Sequence, residues 1–213
     1  MITIECKAIL FDLDGTLVDS GVCIENLWAS WANVNHVDPE YIKSIIHGRT
    51  IEETLKLISP YFFNQECIDE IKKRAINALS YVKPIPGAIE FMKKLPGDRL
   101  AIVTSGAREV SMRSITSADI PVPDVMITAE DVTHGKPDPE PYLQAAITLG
   151  VQPGDCLVFE DAASGIHSAV AAGMRVVVVG SGHHGLLNEA SMQLTDYTNI
   201  QVAFKDDYLS LSW

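Results

Sequence analysis

The segment Phe11-Asp12-Leu13-Asp14-Gly15-Thr16 places two carboxylates two residues apart, directly after an apolar run. Side chains two apart in extended backbone point the same way, so Asp12 and Asp14 can share one small site. Gly15 lets the chain turn sharply there. Two converging carboxylates suit a hard cation such as Mg²⁺, or a nucleophile paired with a general acid. The same residues also serve as turn and capping aspartates. The loop is not an EF-hand, because its glycine comes too early. Three more polar groups follow other apolar runs. Thr104-Ser105-Gly106 offers two hydroxyls and a flexible backbone, which are suitable donors to phosphoryl oxygens. Lys136, in Gly135-Lys136-Pro137-Asp138-Pro139, can screen repulsion between a carboxylate and a phosphate. Glu160 and Asp161 form an acid pair at a strand end, costly to bury unless a cation or hydrogen-bond donors compensate it.

For these groups to meet, the apolar runs must be strands of one sheet. Residues 8–13, 100–104, 125–128, 156–160 and 175–180 are rich in Val, Ile and Phe and do not alternate with polar residues. That pattern suits parallel strands buried on both faces. Helical spacing lies between the later runs. Residues 139–149 set Tyr142, Leu143, Ala146, Ile147 and Leu149 on one side, and 165–172 end at Gly173. Strands alternating with helices predict a doubly wound α/β sheet. In such sheets ligands bind beyond the carboxyl ends of the strands, so each polar group falls at the same crevice.

The stretch between the first two runs is different. Trp28 and Trp31, Ile42, Ile45 and Ile46, and Leu55, Leu57 and Ile58 recur at helical spacing without a strand pattern. Trp28 and Trp31 read as core, although an aromatic pair can also serve as a ligand platform. The stretch ends in Lys83-Pro84-Ile85-Pro86-Gly87, a stiff linker and turn. The expected division is a discontinuous α/β core, 1–17 and 83–213, carrying a helical insertion at 18–82.

The chain has 213 residues, 47% of them hydrophobic and 21% charged, as expected of a soluble globular protein. Sixteen basic residues against 28 acidic ones give a net charge of −12. With no basic patch, a nucleic-acid or anionic-membrane partner is not expected, and an anionic substrate must be met by a metal or a few placed side chains. Cys6, Cys23, Cys67 and Cys156 form no CxxC or zinc spacing and read as free thiols of a reducing cytosol. No signal peptide or membrane span is expected, which places the protein in the cytoplasm. No long apolar surface stripe demands a partner, so a monomer is expected. Gly180-Ser181-Gly182-His183-His184-Gly185 fits GxGxxG, but it follows the last strong strand instead of the first. It is read as a solvated loop and not as a dinucleotide fingerprint.

The series DLDGT, IVTSG, GKPDPEPY and FEDAASGIHSAVAAG resembles, in order and spacing, the four motif loops of the haloacid dehalogenase superfamily. The insertion resembles that family's small helical cap. The resemblance implies Asp12 as nucleophile and Mg²⁺ ligand. Asp14 becomes general acid/base, its backbone carbonyl on the metal. It further implies Thr104, Ser105 and Gly106 as the phosphoryl cradle, Lys136 as the charge-stabilising lysine, and Asp161 as a metal ligand. Glu160 becomes a second ligand or a water-mediated partner. Within the superfamily the chain looks closest to sugar- and polyol-phosphate phosphatases, through Ile46-His47-Gly48-Arg49-Thr50 and TAEDVTHGKPDPEPYL. His47 and Arg49 are the cap candidates for substrate contact. Related chemistries fit less well. A dehalogenase has no use for Asp14, a phosphonate-cleaving relative needs a lysine where Glu53 stands, and a sugar phosphomutase carries a histidine where this chain has Ile24. A non-catalytic sugar-phosphate-binding regulator would be expected to lack one of the catalytic groups.

Overall fold

A computed structural model describes residues 2–180 and 192–213. The chain opens with β1 (Thr3–Cys6), β2 (Ala8–Phe11) and the short β3 (Val18–Asp19), then enters four helices: α1 (Gly21–Val34), α2 (Pro39–Ile45), α3 (Ile51–Ile58) and α4 (Gln65–Ala78). It returns through β4 (Lys83–Pro84) and α5 (Ala88–Lys93) to the alternating part. That part runs β5 (Leu100–Val103), α6 (Arg108–Ser117), β6 (Val125–Ile127), α7 (Glu140–Leu149), β7 (Cys156–Glu160), α8 (Ala163–Ala171) and β8 (Arg175–Val179). Three more strands follow: β9 (Met192–Leu194), β10 (Gln201–Lys205) and β11 (Tyr208–Ser212).

The main sheet has six strands in the order β6-β5-β2-β7-β8-β9, all pairs parallel. Every residue of β2, β5 and β7 is buried, as strands covered on both faces must be. Alternation along these strands feeds two cores. Ile9, Phe11, Ile102, Leu157 and Phe159 pack on the face shared with the inserted helices. Leu10, Ala101, Val103 and Val158 pack with Tyr142, Ala145, Ile166 and Ala169 on the other. The five expected strands are all present.

The insertion is helical among the described residues, and its two connections to the sheet pair as β3 and β4. Its helices start where capping chemistry says they should. Asp38 accepts from the Glu40 amide ahead of α2, Thr50 and Glu53 form a capping box on α3, and Asn64 caps α4. Trp31 is fully buried against Trp28 and Phe62. Leu57 and Ile147, expected on buried faces, are 50% and 71% exposed. Ile147 lies about 140° around α7 from Tyr142, and Ala145 takes the buried place instead.

After residue 180 the sequence reading had no strand, and here the structure corrects it. β9 adds a sixth parallel strand at the sheet edge; its three residues are only half-buried, so no apolar run announces it. β1, β11 and β10 form a separate antiparallel sheet. In β11 burial alternates, with Leu209 and Leu211 inside. The Gly180–Gly185 motif and its histidines lie outside the described residues beyond Gly180. No described helix is long and apolar enough to cross a membrane.

This C-terminal sheet is part of the core and not an appendage, since Leu211 is fully buried in the same cluster as Phe11. Leu211→Ala should lower unfolding free energy by about 2–5 kcal/mol, as read by urea denaturation. A loss below about 1 kcal/mol would show that the tail folds independently of the core.

Candidate active site

Strand order reverses at β2. From it the chain fills β5 and β6 on one side, then β7, β8 and β9 on the other. The crevice of a doubly wound sheet forms at that switch point. Asp12 follows β2, Thr104 follows β5, Glu160 ends β7, and Lys136 arrives from the loop between β6 and α7. All four therefore converge at one end of the sheet.

Lys136 is 1% exposed, unlike the solvated loop lysine its turn context could equally have given. Its ammonium donates to Asp12 Oδ1 at 2.6 Å, Glu160 Oε1 at 2.7 Å and the Val103 carbonyl at 3.0 Å. A lysine has three protons, and all are used. Burial alone would lower its pKa, but the charges of Asp12 and Glu160 outweigh it and hold the ammonium above the ordinary lysine range. Glu160 is equally committed. Oε1 also accepts from Tyr142 Oη at 3.0 Å, and Oε2 accepts from the amides of Asp161 and Ala162, both at 2.9 Å. Gly165 makes room for it, since a β-carbon there would lie 1.6 Å from Glu160 Oε1.

Oxygens of Asp12, Glu160 and Asp161 all fall within 4.8 Å of one another. Asp161 accepts from Thr16 Oγ1 at 3.1 Å and packs over Gly15, whose φ of +90° and lack of a side chain allow that approach. Burial, then repulsion from Glu160 and Asp14, pushes Asp12 up to about 7 against the pull of Lys136. Burial, then Asp12 and Glu160, pushes Asp161 well above the carboxylate range. One lysine thus faces a surplus of buried negative charge, which is what an oxygen-liganded divalent cation compensates. The site fits a hard cation such as Mg²⁺. Within the cluster, the acceptor capacity of Glu160 is filled, so Asp12 and Asp161 are the carboxylates with oxygens to spare. That favours an anchoring place for Glu160 over direct ligation.

Asp14 is oriented by Ser20, whose hydroxyl donates to Oδ1 at 2.7 Å. Ser20 has the residue type of an N-cap for α1, yet makes no side-chain cap bond. Its hydroxyl is turned to Asp14, away from the α1 amides that a cap oxygen accepts from. Burial raises the Asp14 pKa, opposed by the Ser20 hydrogen bond and by Lys136.

Asp12, Asp14, Thr104, Ser105, Gly106 and Asp161 line one cavity of about 150 Å³, whose other walls come from the insertion. His47, Gly48 and Arg49 also line it. Two hydroxyls of the sheet domain hold this inserted loop: Ser105 Oγ donates to the Gly48 carbonyl at 2.8 Å, and Ser164 Oγ to the His47 carbonyl at 3.1 Å. Gly48 sits at φ +73° directly over Ser164. The His47 imidazole pairs with Glu25 at 3.2 Å, and Arg49 Nη1 donates to the Ile45 carbonyl at 2.7 Å. Thr104 Oγ1 accepts the Gly106 amide at 3.0 Å, which shapes the loop.

Every expected site residue is therefore at the cavity or, for Lys136 and Glu160, directly beneath Asp12. The sequence reading missed Ser20, Ser164, Tyr142 and Tyr197. Tyr142 stands in the GKPDPEPY phrase and could have been noticed. Ser20 resembled a cap, and nothing local marks Ser164. Tyr197, whose Oη donates to the Thr16 carbonyl at 3.0 Å, comes from the segment where no structure was expected.

Comparison with known proteins agrees with this geometry. The pattern of haloacid dehalogenase-like hydrolases matches residues 9–179. Hexitol phosphatase A of Escherichia coli is 38% identical over 93% of this chain and 94% of its own length. 2-Deoxyglucose-6-phosphate phosphatase 2 of Saccharomyces cerevisiae is 34% identical over 82% of this chain and 80% of its own. A crystal structure of a HAD hydrolase of family IA, variant 3, from Entamoeba histolytica superposes with a TM-score of 0.78. It is 26% identical, covering 91% of this chain and 95% of that one. With the strand-end carboxylates, the buried lysine and the hydroxyl loop all in place, the chain belongs to the haloacid dehalogenase-like hydrolases.

Proposed function

We propose that the protein hydrolyses phosphate monoesters of small sugars or polyols, using Mg²⁺ and an aspartyl-phosphate intermediate. The observation that carries this is the Asp12 carboxylate. It is buried at the floor of a cavity, clamped through Oδ1 by Lys136, with Oδ2 free of any protein donor among the described residues. A carboxylate held this way is oriented as a nucleophile.

Asp12 Oδ2 attacks phosphorus, the bond from phosphorus to the ester oxygen breaks, and Asp14 gives its proton to the departing alkoxide. Water then attacks the aspartyl-phosphate, giving its proton to Asp14 and releasing phosphate and Asp12. The raised pKa of Asp14 suits a group that must carry a proton first and accept one later. Asp12, Asp161 and the Asp14 backbone carbonyl would hold Mg²⁺, which when bound compensates charge on the phosphoryl oxygens. The Thr104 hydroxyl, oriented by the Gly106 amide, and the Ser105 amide bind those oxygens. Lys136 keeps Asp12 in place and balances its charge. Residues 18–82 act as the cap over the 1–17 and 83–213 core, excluding bulk water, with Arg49 and His47 at the substrate end. Relatives named for hexitol and 2-deoxyglucose-6-phosphate support the substrate class. Ile24 lines the cavity, where a mutase would use a histidine, which favours hydrolysis over phosphoryl return.

Phosphate release from a panel of hexose and polyol phosphates should require Mg²⁺. It should fall by about 10³-fold or more in Asp12→Asn. Release that survives this substitution would remove Asp12 as the nucleophile.

The same charge surplus sets a pH dependence. Asp12, Asp14 and Asp161 bind protons more tightly folded than unfolded. Their stabilising contribution is full below the ordinary carboxylate pKa of about 4 and is lost as pH rises towards 7. Without metal, thermal stability should therefore fall from pH 5 to pH 7.5, and Mg²⁺ should raise Tm more at pH 7.5 than at pH 5. Asp12→Asn should flatten the slope. Scanning calorimetry in chelator and in Mg²⁺ checks this, and a metal-free Tm that rises across that window would contradict it.

A further inference from the structure

Asp12 and Asp14 stand on a loop, residues 12–18, whose backbone bonds largely to itself. The amides of Leu17 and Val18 donate to the Leu13 carbonyl, and the Gly15 amide donates to the Val18 carbonyl at 2.8 Å. One residue of this loop, Thr16, is bonded on two sides to distant parts of the chain. Its hydroxyl donates to Asp161 Oδ1 at 3.1 Å, and its carbonyl accepts from the Tyr197 hydroxyl at 3.0 Å. Thr16 is fully buried, so its carbonyl cannot turn to water in place of Tyr197.

Tyr197 is itself firmly held. Its ring stacks on Phe91 with centroids 5.5 Å apart, and it lies against Phe159 at the same separation and Phe11 at 6.3 Å. Its amide donates to the Pro86 carbonyl at 3.0 Å. Packing alone would be served as well by a phenylalanine. The hydroxyl is the one polar atom among these four rings, and a buried hydroxyl needs a partner. The Thr16 peptide is that partner. On the other side of the same residue, the Thr16 hydroxyl has one proton to give. Giving it to Asp161 fixes the orientation of a carboxylate that has oxygen to spare for a cation.

We infer that Tyr197 is a positioning residue of the cation site: through Thr16 it holds the Asp161 carboxylate in the orientation that Mg²⁺ requires. The inference rests on the Mg²⁺ reading above. Groups standing behind a metal ligand orient it, and losing one costs about 10–100-fold in metal affinity. Tyr197 stands one bond further back than Thr16, so its effect is the smaller of the two.

The test is calorimetric titration of Mg²⁺ into the whole protein at pH 7.5 without substrate. Thr16→Val removes the hydroxyl on Asp161 at nearly constant volume and should raise the Mg²⁺ Kd by about 10-fold or more. Tyr197→Phe keeps the ring and should raise it by about 3- to 10-fold. The double variant should bind no more weakly than Thr16→Val alone, because both changes act along one path. Leu211→Ala opens the same core and leaves both hydrogen bonds in place, so its Kd should stay within about 2-fold of wild type. Tm measured for each variant shows that it is folded. Tyr197→Phe binding Mg²⁺ as tightly as wild type would overturn the inference. So would an equal loss in Leu211→Ala, which would make the effect one of general stability. A double variant weakened by the product of the two single effects would remove the path through Thr16. A wild type that binds no Mg²⁺ would instead overturn the Mg²⁺ reading itself, which phosphate release with and without the metal tests separately.

Discussion

The interaction on which the site depends is the burial of one ammonium among carboxylates. Lys136 has no water to solvate it, and an ammonium in that state is tolerated only when each proton finds an acceptor. Asp12, Glu160 and the Val103 carbonyl supply the acceptors. Glu160 then needs its own donors, which Tyr142 and the amides at 161 and 162 provide. From this one requirement follow the length of β7, the turn after it, a tyrosine on α7 and the glycine at 165. Removing any partner would strand a charge in a place without solvent, so the group acts as a unit.

Glycines mark where this unit meets its neighbours. Gly15 lets Asp161 lie against the loop after β2, Gly165 lets Glu160 lie against α8, and Gly48 lets the inserted loop lie against Ser164. Gly15 and Gly48 also take positive φ, which side chains resist. Close packing of backbone on carboxylate is how the loops bring these oxygens within 4.8 Å of one another. The cost is a surplus of buried negative charge, which an oxygen-liganded cation would compensate.

Much of this was legible in the sequence because parallel strands buried on both faces write themselves as unbroken apolar runs. The runs located the carboxyl ends, and four of the five led to site residues: Asp12 and Asp14, Thr104 and Ser105, Lys136 in the loop that follows the third, and Glu160 and Asp161. The capping residues Asp38, Thr50 and Asn64 likewise announce helix starts through local chemistry. What was not legible depends on distant partners. Ser20 looks like a cap until Asp14 is seen beside it. Tyr197 is an isolated aromatic until it packs on Phe91 and Phe11 and bonds Thr16. β9 fails for another reason: an edge strand of three half-buried residues has no pattern to read. The alternation in Leu209-Ser210-Leu211-Ser212 is a signal of an antiparallel strand that the sequence reading passed over.

The inserted helices and the hydroxyl loop are joined by the smallest of contacts. Ser105 has one proton and gives it to the Gly48 carbonyl; Ser164 gives its proton to the His47 carbonyl. Neutral hydrogen bonds contribute about 1 kcal/mol each, an amount that contacts with a small ligand can match or remove. With its proton committed, Ser105 would meet an incoming anion through its backbone amide, while its side chain ties the same loop to the wall above the cavity. The segment that would hold phosphoryl oxygens is therefore also bonded to the insertion, beside the apolar core the two share. An anion bound at the Ser105 amide would therefore sit beside one of the two hydrogen bonds that tie the inserted loop to the sheet.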